Sequence, residues 1–225
     1  MAPALRLAVL TAILVAALPA QEVQHHGLVF EQWVRDTFFG GHRPRSYTQK
    51  WDIPAEANER FGRVPVNPKA IKHGAPVDLG DALRQYETDE PFLLVIGFWQ
   101  QEGGHKRFTN IVAPRISPAQ WRALWAPITY ADLLKLDALI RDPARPVDEV
   151  RRLALRMKSA PPFTQAVIQV NPKIDGKQRR LQCSLRFADV FKHLAPDADP
   201  APQARPELWG VAFPAPLESP PRSSR

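Results

Sequence analysis

The residues with the strongest chemical character in the first half of the chain are acids and lysines between Glu31 and Glu87. Asp52 closes a segment expected to be extended. Lys69 and Lys72 lie on the next extended segment. Asp78, Asp81 and Glu87 lie at or on the short helix expected after it. A carboxylate at a strand end beside a lysine on the neighbouring strand suits metal-dependent phosphodiester cleavage. Carboxylate oxygens hold a hard divalent cation, which polarises the phosphate and lowers the pKa of a bound water. A lysine can orient that water or offset charge developing on the phosphate oxygens. Taken by spacing alone, the same residues also read as solvated groups near turns.

These residues must be positioned by elements that the pattern outlines. Phe30, Trp33, Val34 and Phe38 recur at helical spacing, predicting a first helix over 28–39 that Gly40 and Gly41 end. A strand is expected over 47–53, stopped by Pro54. An irregular or edge strand is expected over 64–72, where Pro65 and Pro68 interrupt pairing. A short helix over 79–87 precedes the apolar run 91–99 (PFLLVIGFW), which reads as a central strand buried on both faces. A further strand falls over 108–113. Three helices should follow: one capped by Ser117 with Pro118 at its first position, one from Thr129 and Asp132 to about 141, and one over 146–158. Two alternating segments, 164–170 and 178–187, flank Asp175-Gly176 as a hairpin, and a last helix is expected over 188–194. The expected fold is α/β, a mixed sheet flanked by helices, with a helical insert and a C-terminal β-hairpin.

The order of the pieces carries more than their spacing. Gly27-x-x-Phe30-Glu31-x-x-Val34 opens the domain, followed by Trp51-Asp52, Val64-Pro-Val-Asn-Pro-Lys69, Asp81-Ala-Leu-Arg84-Gln-Tyr and the apolar strand. Over about 27–99 this resembles the core of the PD-(D/E)XK superfamily, the restriction-endonuclease-like nucleases. Their core has a first helix with a Glu, a strand with a metal-binding Asp, a strand with the (D/E)-x-K signature, then a helix and a strand. The resemblance implies an Mg²⁺-dependent nuclease acting on DNA. Asp52 would be the metal-binding aspartate and Lys69 the signature lysine, with Lys72 as its competitor. Glu31 would be the first-helix glutamate bordering the site. The acidic position departs from the pattern, since Asn67 stands two before Lys69 and Ala70 two before Lys72. Some members of the superfamily move that carboxylate to the following helix, a place that Asp81 or Glu87 would fill here. If none of them reaches the metal, the chain is instead a catalytically silent binding protein that keeps the fold.

Charge supplies the second feature. The 225 residues carry a formal net charge of +7. Between 141 and 190 stand eleven Lys and Arg against five Asp and Glu. The densest part is the expected hairpin, with Lys173, Lys177, Arg179 and Arg180. Such a cluster can track DNA phosphates, giving salt-dependent and largely sequence-independent binding. The alternative is a hairpin with one solvated basic face.

The ends of the chain differ from its middle. Residues 1–20 have one charge, Arg6, then the apolar run 7–18 and Leu-Pro-Ala, the form of a secretory signal peptide with cleavage near Ala20–Gln21. Export to the periplasm or medium follows, with a cytoplasmic protein as the alternative if translation starts near Gln24. No other apolar stretch approaches the length of a membrane span. Residues 21–195 form the expected nuclease-like domain. Residues 196–225 hold eight prolines and read as an extended tail, within which Leu208, Trp209, Val211 and Phe213 are able to dock back. Cys183, the single cysteine, excludes an internal disulfide framework and a multi-cysteine zinc site. Trp99, Trp121 and Trp125 fall in apolar periodic segments and are expected in the core; a carbohydrate-binding surface would need several tryptophans exposed on one face.

Overall fold

The computed structural model describes residues 20–43, 50–214 and 216–218. The segment read as a signal peptide, apart from Ala20, lies outside the described residues, as do 47–49 of the strand expected over 47–53. A mixed sheet with helices on both faces forms an α/β fold.

The central strand is β3 (Phe92–Glu102), which matches the apolar run in the sequence. On one side it pairs in parallel with β1 (Val66–Lys72), from Val66 opposite Leu93 to Lys72 opposite Trp99. On the other it pairs antiparallel with β4 (His105–Val112) and with the short β5 (Arg115–Ile116). Both faces of β3 are covered, which explains why its residues do not alternate in polarity. On one face, Leu94, Ile96 and Phe98 join the larger core. That core includes Trp121 and Trp125 of helix α3 (Pro118–Trp125) and Leu133, Leu136 and Ile140 of helix α4 (Tyr130–Arg141). On the other face, Leu93 and Val95 meet Phe30, Val34 and Phe38 of helix α1 (Ala20–Phe38).

Gly97 of β3 sets how closely α1 can approach. A Cβ there would stand 2.5 Å from the Phe30 ring and 2.7 Å from the Phe108 ring. The missing side chain lets Phe30 stack on Phe108, with ring centroids 5.0 Å apart, against bare backbone.

A second, three-stranded antiparallel sheet has β7 (Arg179–Leu185) between β2 (Val77–Asp81) and β6 (Gln169–Ile174). Its inner residues Val170, Leu181, Cys183 and Leu185 close the larger core. Helix α5 (Val147–Lys158) completes the helical insert, and helix α6 (Phe187–His193) follows β7. Ser117 and Thr129 cap α3 and α4, the latter through a reciprocal capping box with Asp132. Trp121 and Trp125 are at most 1% exposed, so they are core residues.

Three expectations need correction. The helix expected over 79–87 is strand β2 followed by a helix α2 of five residues (Ala82–Tyr86). Val77 and Leu79 are buried while Asp78 is exposed, a period of two that pairs with β7. The strand expected over 164–170 begins only at Gln169, because the amides of Val167 and Ile168 bond to the Leu124 carbonyl instead of a ladder. The described part of the 47–53 strand pairs only through Ile53.

The Pro-rich tail is strapped to the domain through 218. Asn110 donates to the carbonyls of Asp199 and Ala201, and the Gln203 amide donates to Thr109. A small hairpin, β8 (Glu207–Leu208) and β9 (Val211–Ala212), turns at Trp209-Gly210, both with positive φ. Trp209 stacks on Phe61 at 3.7 Å, and Phe213 sits 4.3 Å from Phe108. Strand β10 (Leu217–Glu218) adds to the edge of β4. Among the described residues, no helix is long and apolar enough to cross a membrane.

Gly97→Ala is expected to lower the stability of the fold by about 1–3 kcal/mol through overpacking against Phe30 and Phe108. Denaturant unfolding of the variant measures this, and an unchanged midpoint would contradict the close approach.

Candidate functional site

The free edge of β1 is where α1, the 50–53 segment and the central sheet meet. Ile53 and Val66 exchange two backbone hydrogen bonds, of 3.1 and 2.8 Å, as an antiparallel pair. The residues next along from that pair are Asp52 and Asn67. Trp51 holds the segment from the other side: its ring lies 5.0 Å from Phe92, and its Nε1 donates to Glu90 at 2.9 Å. Lys50 pairs with the same Glu90 carboxylate at 2.8 Å. The chain between Asp52 and β1 is riveted by buried Asn58, which donates to the Val64 carbonyl at 2.7 Å and accepts from the Phe61 amide at 3.0 Å.

This local folding brings Lys69 Nζ to 3.9 Å from Asp52 Oδ2. Both side chains remain partly exposed, 26% and 36%, so the pair by itself adds little to stability. Glu31 comes from α1 and pairs with Arg35 one turn on, at 3.8 Å. Burial holds the Glu31 carboxyl above its ordinary value, and the Asp52 charge raises it further. Lys69 and Arg35 act in the opposite direction. Glu31, Asp52 and Lys69 therefore share one electrostatic environment: two carboxylates that repel each other, with two cations at their border.

Asn67 lies on β1 two residues before Lys69. It is 8% exposed, and its Oδ1 has no hydrogen-bond partner, a deficit that typically costs about 1–3 kcal/mol. Strand side chains alternate, so Asn67 and Lys69 share one face of β1 while Val66 and Pro68 face α1. Lys72, three residues beyond Lys69, points to the opposite face at the exposed end of the strand.

Asp81 and Glu87 lie elsewhere. Asp81 caps α2 by accepting from the Arg84 amide at 3.0 Å. Glu87 accepts from the Tyr130 hydroxyl, whose pKa this bond raises, with Asp81 and Asp137 adding to the effect. Both acids thus face α4, where Arg141 binds Asp137 at 2.7 Å. The expected carboxylate migration to the second helix fails because β2 carries Asp81 into the second sheet. Among the described residues, no three His, Cys, Asp or Glu side chains gather as a metal-holding group.

The basic hairpin divides into two kinds of residue. Lys173 and Arg180 stand opposite each other on β6 and β7, both exposed, and Lys177 is exposed in the turn. Arg179 points inward instead: it donates to the Asp142 carbonyl and, at 3.0 Å, to the Arg145 carbonyl. It latches the α4–α5 connection, so its expected place among DNA-contacting residues is corrected. Asn171 and Gln182 continue the outer row beside Lys173 and Arg180. Arg151 of α5 donates to the Ile174 carbonyl at 3.1 Å, which sets the exposed Arg152 and Arg156 of α5 near the hairpin. Arg35 is a member of the β1-edge site not anticipated from the residue types; its i,i+4 spacing from Glu31 is the available signal.

No family model matches the chain, and no similar curated protein or solved structure was found.

The shared environment has a direct consequence. Asp52→Asn should lower the pKa of the Glu31 carboxyl, and Lys69→Met should raise it further, as followed by carbon-detected NMR. A Glu31 titration indifferent to both changes would contradict the proximity.

Proposed function

We propose that the chain is a metal-dependent deoxyribonuclease with a restriction-endonuclease-like core. The observation that carries this reading is the approach of the Lys69 ammonium to the Asp52 carboxylate, 3.9 Å apart, with the Glu31 carboxyl in the field of both. The surrounding order agrees with it: a helix bearing Glu31, an edge segment bearing Asp52, a strand bearing Lys69, and a crossover through α2 to a parallel central strand. Oxygen donors of this kind suit a hard cation such as Mg²⁺.

In this reading Asp52 and Glu31 bind the cation at the edge of β1. A bound divalent cation supplies Lewis-acid polarisation of a phosphate and a more acidic water. Lys69, held at the border of the carboxylates, orients the attacking water and balances charge on the phosphate oxygens. Lys173, Lys177 and Arg180 contact phosphates of the DNA, together with Arg152 and Arg156. The protein is exported by residues 1–20, and cleavage near Ala20–Gln21 would leave the described part of α1 almost complete. The second reading, a silent binding protein with the same fold, draws on the two-carboxylate donor set and the amide at position 67.

Asp52→Ala and Lys69→Met are each expected to reduce Mg²⁺-dependent DNA cleavage at least about a hundredfold, with circular dichroism unchanged. Cleavage unaffected by both would overturn the reading. DNA binding without cleavage in the unaltered protein would favour the silent one.

Lys173→Ala with Arg180→Ala should flatten the salt dependence of DNA affinity. Each lost phosphate contact reduces the log–log slope by about 0.9. An unchanged slope would remove the hairpin from the binding surface.

A further inference from the structure

The second sheet is three strands wide at its base and two strands wide at its tip. Strand β2 runs along β7 only from Leu185 to Gln182. Beyond that point β6 and β7 continue alone, with Pro172 opposite Leu181, Lys173 opposite Arg180 and Ile174 opposite Arg179. This ribbon is braced from behind. Ile174 and Leu181 are buried, Arg151 of α5 holds the Ile174 carbonyl, and Arg179 holds the α4–α5 connection. The turn is braced as well. The Asp175 carboxylate accepts from the Lys177 and Gln178 amides at 2.7 and 2.9 Å, and from the Gln178 side chain at 2.8 Å. That commits the acid nearest the tip to the turn. On the outer face Lys173 stands opposite Arg180, and the next outward pair is Asn171 with Gln182. No carboxylate stands among these four. Asn171 Nδ2 donates to Ser184 Oγ at 2.7 Å and to the Gln169 carbonyl at 3.3 Å. Both of its amide protons are thereby used, which leaves its Oδ1 as an acceptor. Gln182, half-buried, presents a donor and an acceptor together.

We propose that this ribbon lays its outer row in the major groove of duplex DNA, and that Gln182, with Asn171 beside it, reads base edges there. The inference rests on the DNA-binding reading of the hairpin above and goes beyond it: binding is sequence-selective, which contacts to phosphates alone do not provide. A two-stranded ribbon is a β element that the B-form major groove, about 12 Å wide, admits. The narrowing of the sheet beyond Gln182 supplies such an element, and its bracing fixes the ribbon before the DNA arrives, which lowers the cost of ordering it. Lys173 and Arg180, long and exposed, reach the phosphates that border the groove. The outward pair next to them consists of amides, side chains able to meet adenine N6 and N7 with two hydrogen bonds. Gln182 fits that role because it offers both a donor and an acceptor. Asn171, its protons used on Ser184 and Gln169, accepts from an exocyclic amine of adenine or cytosine. Double-stranded RNA does not fit, since its major groove is too deep and narrow for side chains to read.

Selection from a randomised duplex library by the full chain, in EDTA so that no cleavage intervenes, tests the assignment. The pool is expected to converge on a short motif that contains an A·T pair. Gln182→Leu should lose at least about fivefold of the preference for that motif over a scrambled duplex, with the slope of log affinity against log salt unchanged. Gln182→Glu, which only accepts, should move the preference at one position from adenine towards cytosine. A merely structural role for Gln182 would not produce that switch. A pool that stays random, or both Gln182 variants selecting the unaltered motif, would overturn base reading. If Lys173→Ala with Arg180→Ala then still flattens the salt slope, the hairpin stands as a phosphate-tracking surface and only this inference fails. An RNA duplex of the same motif bound as tightly as the DNA would overturn the groove assignment. Absence of DNA binding by the unaltered chain would overturn both this inference and the reading it rests on.

Discussion

Seven residues of β1 run parallel to β3, and such a pair forms only when a crossover returns the chain in the same direction. Here the crossover is β2 and α2, folded from residues that also start the second sheet. The register it fixes, Lys69 opposite Ile96 and Asn67 opposite Leu94, turns both polar side chains to one face of the edge strand. It leaves the other edge of β1 open for the Ile53 pair, which delivers Asp52. A slip of one residue would send Asn67 and Lys69 to the α1 face and Pro68 to the polar patch. The candidate site thus depends first on a backbone pairing and only then on its charges.

The charges explain what the pairing achieves. A half-buried glutamate beside an aspartate is unfavourable unless something compensates it. The protein provides two partial remedies, Arg35 and Lys69, neither closer than 3.8 Å. Cations at that distance soften the repulsion without satisfying the carboxylates as a bidentate pair would. The arrangement keeps negative charge available at the edge of the sheet. At the hairpin the opposite choice is made for Arg179, whose guanidinium is spent on two backbone carbonyls, while Lys173 and Arg180 stay in solvent.

Much of this was legible in the sequence, for identifiable reasons. The run around Leu94 and Ile96 could only be a strand buried on both faces. Ser117-Pro118 and the Thr129–Asp132 box placed helix starts because capping is a local interaction. Asp175-Gly176 located the hairpin turn through the same local logic. The failures are tertiary. Leu79, Ala82 and Leu83 fit a helical period as well as a strand-to-helix junction, and only pairing with β7 decides between them. The tail reads as extended because its prolines disfavour regular structure. Nothing local announces that Asn110 and Arg107 bond its carbonyls, or that Phe213 completes the core under α1. Within the site, Asp52 and Lys69 were visible as residue types, whereas the partnerless oxygen of Asn67 is a property of the folded edge alone.

The central claim is that one divalent cation belongs at the free edge of β1. Diffraction from crystals grown with Mn²⁺, using its anomalous signal, addresses this most directly. The account predicts a single peak bounded by Glu31 and Asp52, at about 2–2.5 Å from its ligands. A peak among Asp81, Glu87 and Asp137, or none anywhere at millimolar Mn²⁺, would contradict it.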